Sequence, residues 1–217
     1  TQRFLSNIGL EVNILPTLVW KPAVSLDVID SVNDRFIDGY RSVYGRQEKG
    51  TGSQNFNLYQ DFNFENTLNY TLKTGVHDLG LLGGFQLHER NTQGQYYWGN
   101  RFPEYLREFI YNLSENPNQV FRKEILRELS YFGRAIYTLD NKYTVMGVFR
   151  YNGSSALDPG KKWGFFPGVS ASWNIKNENF LADSNVISDL KLRGGWGKTG
   201  NASGIPPYSH FNLERLN

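Results

Sequence analysis

The stretch FNLYQDFNFENTLNYTL, residues 56–72, decides the fold class because its apolar and polar residues alternate. One parity carries large apolar side chains, at Phe56, Leu58, Phe62, Phe64, Leu68, Tyr70 and Leu72. The other parity carries polar side chains, at Asp61, Asn63, Glu65, Thr67, Asn69 and Thr71. Successive side chains of a strand point to opposite faces, whereas a helix would scatter both sets. The stretch is therefore predicted to be a two-faced β-strand, reaching ~55 Å at ~3.3 Å per residue.

The same alternation recurs on both sides of this stretch. It predicts strands over 4–14, 18–28, 77–87, 129–139, 142–151, 163–175 and 190–197, with a weaker strand over 35–43. Short turns such as Thr74-Gly75 and Asp140-Asn141 alternate with longer polar loops. The chain is therefore predicted to be all-β, with about eight antiparallel strands in up-and-down order.

Residues 89–127 interrupt the alternation. They contain the cluster Tyr96, Tyr97 and Trp98, and after Pro103 the apolar residues follow a helical spacing. We expect a long loop with a short helix here, and long loops often carry function. Since exposed aromatic clusters mark interfaces, the three rings are the candidate contact surface for a ligand or a partner. The alternative is that they pack within their own loop.

Bulk composition excludes several classes of protein. The 217 residues carry a formal net charge of +2, which is too small to indicate a nucleic-acid partner. There is no Cys, so disulfide frameworks and Cys-based metal sites are excluded. Hydrophobic residues make up 39% of the sequence, and no uncharged apolar run is long enough for a transmembrane helix. A spanning barrel strand needs only ~9–11 residues, half of them polar, so it escapes such a test.

Motifs that would carry chemistry are also missing. His77 and His88 have opposite parity, which argues against a shared metal ion. Ser154 lies outside any G-x-S-x-G pattern, and Lys198-Thr199 lacks the spacing of a phosphate-binding loop. We therefore expect no catalytic residues, no metal site and no cofactor, and we expect that the chain is not an enzyme.

Two architectures place an apolar row opposite a polar row. In a wide barrel the polar row lines a wet lumen while the apolar row meets lipid. On that interpretation the lumen-facing residues are Asp61, Asn63, Glu65, Thr67 and Asn69. In a soluble β-sandwich, of the kind used by carbohydrate-binding modules, the apolar row would instead form a core between two sheets.

Three segments in the C-terminal third carry a family resemblance. They are RYNGSS at 150–155, WGFFPGVSASW at 163–173 and LKLRGGWGKTGN at 190–201. In order and spacing they resemble the patterns R-x-D-G-S-S, W-G-x-F-P-S-V-S-A-G-W and L-K-L-R-x-S-Y-G-x-T-G-N of the SusC/RagA family of TonB-dependent transporters. The specific match covers roughly 129–201. It departs from the family at Asn152, Gly168, Ser172 and Trp196, which are conservative changes at turn or lipid-facing positions.

The resemblance implies a fold, a location and partners. Residues 1–217 would be a segment of one transmembrane barrel of about 22 strands in the outer membrane of a Gram-negative, Bacteroidota-like bacterium, with residues 89–127 as a long extracellular loop. No plug domain precedes the strands, so a partial chain with an incomplete barrel is expected. The resemblance implies import of large nutrients, oligosaccharides or peptides.

A SusD-like surface lipoprotein would act as the lid, and the TonB complex would act through the missing plug region. Lipid would surround the wall, and pairs of transporter and lipoprotein could form a dimer.

Overall fold

The computed structural model describes residues 1–101, 118–158, 160–181, 186–200 and 205. Their regular elements are β1 (Gln2–Gly9), β2 (Val12–Leu15), β3 (Leu18–Ile37), α1 (Val43–Glu48), β4 (Thr51–Thr74), β5 (His77–Asn100), β6 (Asn118–Leu139), β7 (Tyr143–Ser154), β8 (Trp163–Asn174), a 3-10 turn (Ile175–Asn177) and β9 (Lys191–Gly197). Within the described residues, no helix has the length and apolar character needed to cross a membrane.

The strands form one nine-stranded sheet. Its order is β1-β3-β4-β5-β6-β7-β8-β9, and β2 pairs with β3 beside β1. Neighbours in sequence are therefore neighbours in the sheet from β3 onward. The pairings of β6 with β7, β7 with β8 and β8 with β9 are antiparallel and unbroken. The prediction of an all-β, antiparallel, up-and-down sheet is confirmed.

Connections alternate in length along most of the sheet. Only a few residues separate β2 from β3, β4 from β5 and β6 from β7. Asp140 and Asn141 of the last of these turns have φ of 54° and 53°, the left-handed region that Asn and Asp tolerate best after Gly. The connections after β3, β5 and β7 are longer. The connection between β8 and β9 is an exception to this alternation. A short turn is expected there, but the connection is long.

The strand expected over 35–43 ends early, because a capped helix follows it. β3 stops at Ile37, and α1 begins after Ser42, whose side-chain oxygen accepts a hydrogen bond from the backbone N–H of Gly45 at 2.9 Å. Lys49 ends the helix in the left-handed conformation, with its backbone N–H bonded to the Gly45 carbonyl. A side chain at Gly45 would collide with the Asp38 carbonyl oxygen, so only glycine fits there.

The loop predicted over 89–127 is wrong at both ends. β5 continues without interruption to Asn100, and β6 begins at Asn118. The alternation disappears from the sequence after Glu89 because both faces become polar there, while the backbone pairing persists. Side chains also bridge the strands, as the Asn91 amide donates to Gln60 Oε1 at 3.0 Å. The short helix predicted after Pro103 lies outside the described residues.

The chain divides into two compact units that cut across the long strands. The first unit comprises Thr1–Ser6, Ser25–Phe62 and Glu89–Ile125, and the second comprises Asn7–Val24, Asn63–His88 and Leu126–Asn217. Among the described residues, Ala156 is the one hydrophobic side chain that is buried. The sheet therefore stands without a conventional hydrophobic core, and in each unit its side chains divide between two faces of different chemistry.

Candidate functional site

One face of the second unit is an aromatic and aliphatic ladder. Register pairs Tyr131 with Tyr151 and Tyr151 with Phe165, so these rings lie side by side across three strands. Tyr151 stacks on Trp163 with ring centroids 4.7 Å apart, and Phe149 stacks on Phe165 at 6.3 Å. Stacked and edge-to-face pairs of this kind stabilise a sheet beyond their buried area.

The ladder remains uncovered by any other part of the described chain. Phe165 is 52% exposed and Trp196 is 65% exposed, and the same face carries exposed Leu68, Leu72, Tyr143, Val145, Phe149, Val169 and Leu192. A soluble monomer rarely exposes a contiguous apolar surface of this extent. The ladder is therefore expected to contact an apolar environment.

The opposite face of the second unit is polar and internally hydrogen-bonded. Arg150 donates to Gln86 Oε1 at 2.9 Å and to Ser130 Oγ at 2.8 Å. The Gln86 amide donates to Asn63 Oδ1 at 2.7 Å, and Ser130 donates to the side chain of Asn152. This Arg150 network links β4, β5, β6 and β7. Because Ser130 is only 2% exposed, its hydroxyl depends on these partners rather than on water.

Four of the five predicted lumen-facing residues belong to this polar face. Asn63 is a member of the Arg150 network, and Thr67, which is 8% exposed, donates to the Lys21 carbonyl at 3.4 Å. Glu65 and Asn69 are half-buried at the same parity of β4. The structure therefore brings these four together on one side of one strand, and their exposure to a lumen stays a prediction.

The fifth residue, Asp61, lies in the first unit within a charged cluster. Its carboxylate accepts from the Tyr59 hydroxyl at 2.9 Å and from Arg90 Nε at 3.1 Å. The Arg90 guanidinium also lies 5.8 Å from the centroid of the Tyr59 ring. On the neighbouring strands, Arg3 makes a two-point ion pair with Asp27 at 2.9 and 2.8 Å. This face of the first unit is therefore polar and charge-balanced.

Tyr96, Tyr97 and Trp98 do not form one surface, because they lie on a strand rather than in a loop. Alternation places Tyr96 and Trp98 on the face of β5 that carries Arg90, where they are 36% and 42% exposed. Tyr97 points to the other face and packs edge-to-face on Phe56, with centroids 6.2 Å apart. Only Tyr96 and Trp98 therefore remain together as a candidate contact surface.

A cluster at the turn side of β7 and β8 was not expected from the sequence. Glu178, just after the 3-10 turn, accepts from the Tyr143 hydroxyl and from Trp173 Nε1. Lys142 pairs with Asp140 at 2.9 Å and lies 3.8 Å from Glu178. The hydrogen bonds from Tyr143 and Trp173, followed by the positive charge of Lys142, hold the pKa of Glu178 below its usual value. No sequence spacing signals this contact, since Glu178 lies in a polar connection.

The Glu178 cluster gives a pH prediction. A lowered pKa means that Glu178 contributes stability above its ordinary pKa of about 4.3, and that this contribution is lost as pH falls through the lower value in the folded state. We expect Glu178→Gln to lower the melting temperature at pH 7 and to flatten its decline below pH 4.5. Thermal melts of both proteins from pH 3 to pH 8 measure this, and parallel profiles would contradict it.

The described residues contain no group of three or more His, Cys, Asp or Glu that could hold a metal ion. His77 and His88 lie apart, as their parity predicts: His77 bonds to the Tyr137 hydroxyl, and His88 lies 3.1 Å from Glu128.

Comparison with known proteins gives consistent relatives, although no family model matches the chain. It is 45% identical over 89 residues to the TonB-dependent receptor SusC of Bacteroides thetaiotaomicron, a match covering 41% of this chain and 9% of that protein. It is 36% identical over 148 residues to the TonB-dependent receptor P3 of Formosa agariphila, covering 66% of this chain and 14% of that protein. The chain thus spans about a seventh or less of these relatives. They are receptors and not enzymes, in agreement with the sequence-based expectation.

Solved structures show the same fold. The RagAB peptide importer in its closed-closed state matches 95% of this chain and 23% of its own chain, with a TM-score of 0.78 and 22% identity. The RagAB peptide transporter matches 92% of this chain with a TM-score of 0.74 and 21% identity. The C-terminal motifs resemble the SusC/RagA family, the curated relatives are TonB-dependent receptors, and the RagAB structures share the fold, so the chain is similar to a β-barrel segment of that family.

Proposed function

We propose that this chain forms part of the wall of an outer-membrane transporter that imports large nutrients, oligosaccharides or peptides, in a TonB-dependent manner. The barrel would have about 22 strands, and the described sheet would supply one sector of it. The ladder would face lipid, and the polar face with Asp61, Asn63, Glu65, Thr67 and Asn69 would face the lumen. The protein would reside in the outer membrane of a Bacteroidota-like bacterium.

The two-faced sheet is the observation that carries this proposal. In the second unit the rings of Tyr131, Tyr151 and Phe165 are exposed or half-exposed on one face, whereas Arg150 and Ser130 are tied into hydrogen bonds on the other. A soluble β-sandwich would cover the ring face with a second sheet, whereas all nine described strands belong to a single sheet. Lipid would cover the same apolar side chains without a second sheet.

A surface lipoprotein of the SusD type is the proposed lid, and the TonB complex is the proposed source of energy through a plug region beyond this chain. Tyr96 and Trp98 are the residues of this chain proposed to contact ligand or lid. Exposed aromatic side chains commonly dominate such contacts, because they bury large area at low entropic cost. A dimer of transporter–lipoprotein pairs is compatible with this arrangement.

A deletion experiment tests the function. The gene that encodes this chain is removed from its host, and growth is measured on purified oligosaccharides and on peptide mixtures as alternative carbon sources. We expect growth to be lost on one class and restored by the intact gene, with the tagged protein recovered in the outer-membrane fraction. Unchanged growth on both classes, or recovery of the protein in the soluble fraction, would contradict the proposal.

Trp98 offers a prediction for the lid contact. We expect Trp98→Ala to weaken copurification of the surface lipoprotein, with about a tenfold rise in dissociation constant, equal to about 1.4 kcal/mol. Trp98→Phe keeps an aromatic ring and should lose much less. Pull-down from detergent-solubilised outer membranes, followed by a binding titration, measures both variants. Equal lipoprotein recovery with wild type and Trp98→Ala would remove Trp98 from the interface.

A further inference from the structure

A cavity of about 560 Å³ lies within the first unit, away from the charged cluster of Asp61 and Arg90. Most of its lining residues lie on one face of the sheet. They are Asp30, Phe56, Leu58, Gln93, Gln95 and Tyr97, and Asn57 also lines the cavity. Gln60 and Asn91, which bond to each other, show that even residues of β4 and odd residues of β5 share this face. Asp61 and Arg90, of the opposite parities, share the other face. The cavity is therefore separate from the proposed lumen-facing and lid-facing residues.

The lining combines an edge-to-face pair of aromatic rings with side chains that both donate and accept hydrogen bonds. Phe56 and Tyr97 meet at an interplanar angle of 87°, so each ring holds the other in place. Gln93 and Gln95 follow at alternate positions of β5, and an amide offers two donors and one acceptor group. The volume lies within the range of about 300–1,000 Å³ that small-molecule sites occupy.

Charge narrows the class of ligand. Asp30 is the one charged side chain among the seven described lining residues, and none of the seven is Lys or Arg. An anionic ligand, such as a phosphate or an acidic sugar, would meet a carboxylate with no compensating cation in this lining. Nearby, Gln54 Oε1 is buried without a hydrogen-bond partner among the described residues, two positions before Phe56 on the same face of β4. A ligand rich in neutral donors fits this environment.

We infer that the cavity binds a neutral saccharide, whose apolar ring face packs on Tyr97 and Phe56 while its hydroxyls bond to Gln93, Gln95 and Asp30. Hydroxyls both donate and accept, so they match the amides and the carboxylate together. The saccharide is either a free oligosaccharide or the sugar portion of a surface glycolipid, and both offer the same chemistry. The inference concerns the face opposite the proposed lumen, so it does not require that the saccharide be the imported nutrient.

The test uses the full-length protein in detergent and in lipid nanodiscs. Neutral hexasaccharides with glucose, xylose or mannose backbones are titrated calorimetrically in detergent, and extracted host glycolipid is added to nanodiscs and detected by native mass spectrometry. Tyr97→Ala and Gln93→Leu remove the ring and one amide, and Thr92→Ala, on the other face of β5, is the matched control. Tyr97→Phe keeps the ring and checks that loss of binding is not loss of folding.

We expect at least one neutral probe to bind, with a dissociation constant raised at least tenfold by Tyr97→Ala and by Gln93→Leu, raised less by Tyr97→Phe, and unchanged by Thr92→Ala. Binding in calorimetry identifies a free oligosaccharide, and retention in nanodiscs alone identifies a glycolipid. No binding of any neutral probe in either format, or binding that both cavity variants leave intact, would overturn the inference. Growth of the Tyr97→Ala strain on the imported nutrient is scored separately, so failure here and failure of the transport proposal are distinguishable.

Discussion

Replacing Leu68 by Arg should prevent the protein from accumulating in the outer membrane. Leu68 is 43% exposed on the ladder face, midway between Phe64 and Leu72 along the apolar row of β4. If that row meets hydrocarbon, an Arg near its middle costs about 2–4 kcal/mol, which is a large part of the stability of a typical fold. Quantitative blotting of outer-membrane fractions, with heat-modifiable gel mobility as the sign of a folded barrel, measures the loss.

Asn69→Arg is the matched control for this prediction. The two positions are neighbours on β4, receive the same side chain and differ in the face they occupy. An Arg at Asn69 would join a polar face that already accommodates Arg150, so near-normal accumulation is expected. Equal loss in both variants, or equal tolerance, would contradict the assignment of lipid and lumen to the two faces.

Replacing Gly84 by Val should destabilise the sheet because there is no room for a side chain. A Cβ at Gly84 would lie 2.5 Å from the Asn66 carbonyl oxygen and 2.9 Å from Cζ of Phe132. The contact with Asn66 involves backbone, so it cannot be relieved by rotating a side chain, and overpacking of this kind typically costs about 1–3 kcal/mol. Thermal unfolding in detergent, followed by circular dichroism, should show a clearly lower midpoint.

Gly83→Val controls for the loss of a glycine from β5. No described atom lies within 4 Å of a Cβ placed at Gly83, which occupies the ladder face. A β-branched residue there adds strand propensity and apolar surface without collision, so the midpoint should be unchanged or raised. If Gly83→Val and Gly84→Val are equally harmful, the damage comes from lost backbone freedom and not from the close approach of Asn66 and Phe132.

The alternating stretches were predictable from the sequence because one face of each strand is apolar and the other face is polar along the whole stretch. Residues 56–72 and 77–87 lie within β4 and β5, and the predicted strand over 163–175 matches β8 to within one residue. The motif at 163–173 pairs with β7 along its whole length, so the segment that carries the family resemblance is also structurally regular. Period-2 patterns are informative where the two faces meet different environments.

The sequence-based predictions are wrong where the two faces of a strand no longer differ in polarity. Gln93 and Gln95 share a face with Phe56, and polar residues fill both faces of β5 beyond Glu89, so hydrophobicity gives no period although backbone pairing continues. The aromatic run Tyr96, Tyr97 and Trp98 then suggested a loop cluster, whereas alternation sends the middle ring to the opposite side. The Glu178 contacts depend on the path of a long connection, which no local pattern encodes.

Site-directed spin labelling along Phe64–Leu72 tests the two-faced wall most directly, because each label reports whether its face meets lipid or water. The 217 residues contain no Cys, so within them each introduced Cys is the single labelling site. Single-cysteine variants of the full-length protein are labelled in lipid vesicles, and the accessibility of each label to oxygen and to a water-soluble nickel chelate is measured. We predict strict alternation, with labels at 64, 68 and 72 exposed to oxygen and labels at 65, 67 and 69 exposed to nickel. Uniform nickel accessibility at both parities, or protection of both from either reagent, would contradict a wall between lipid and water.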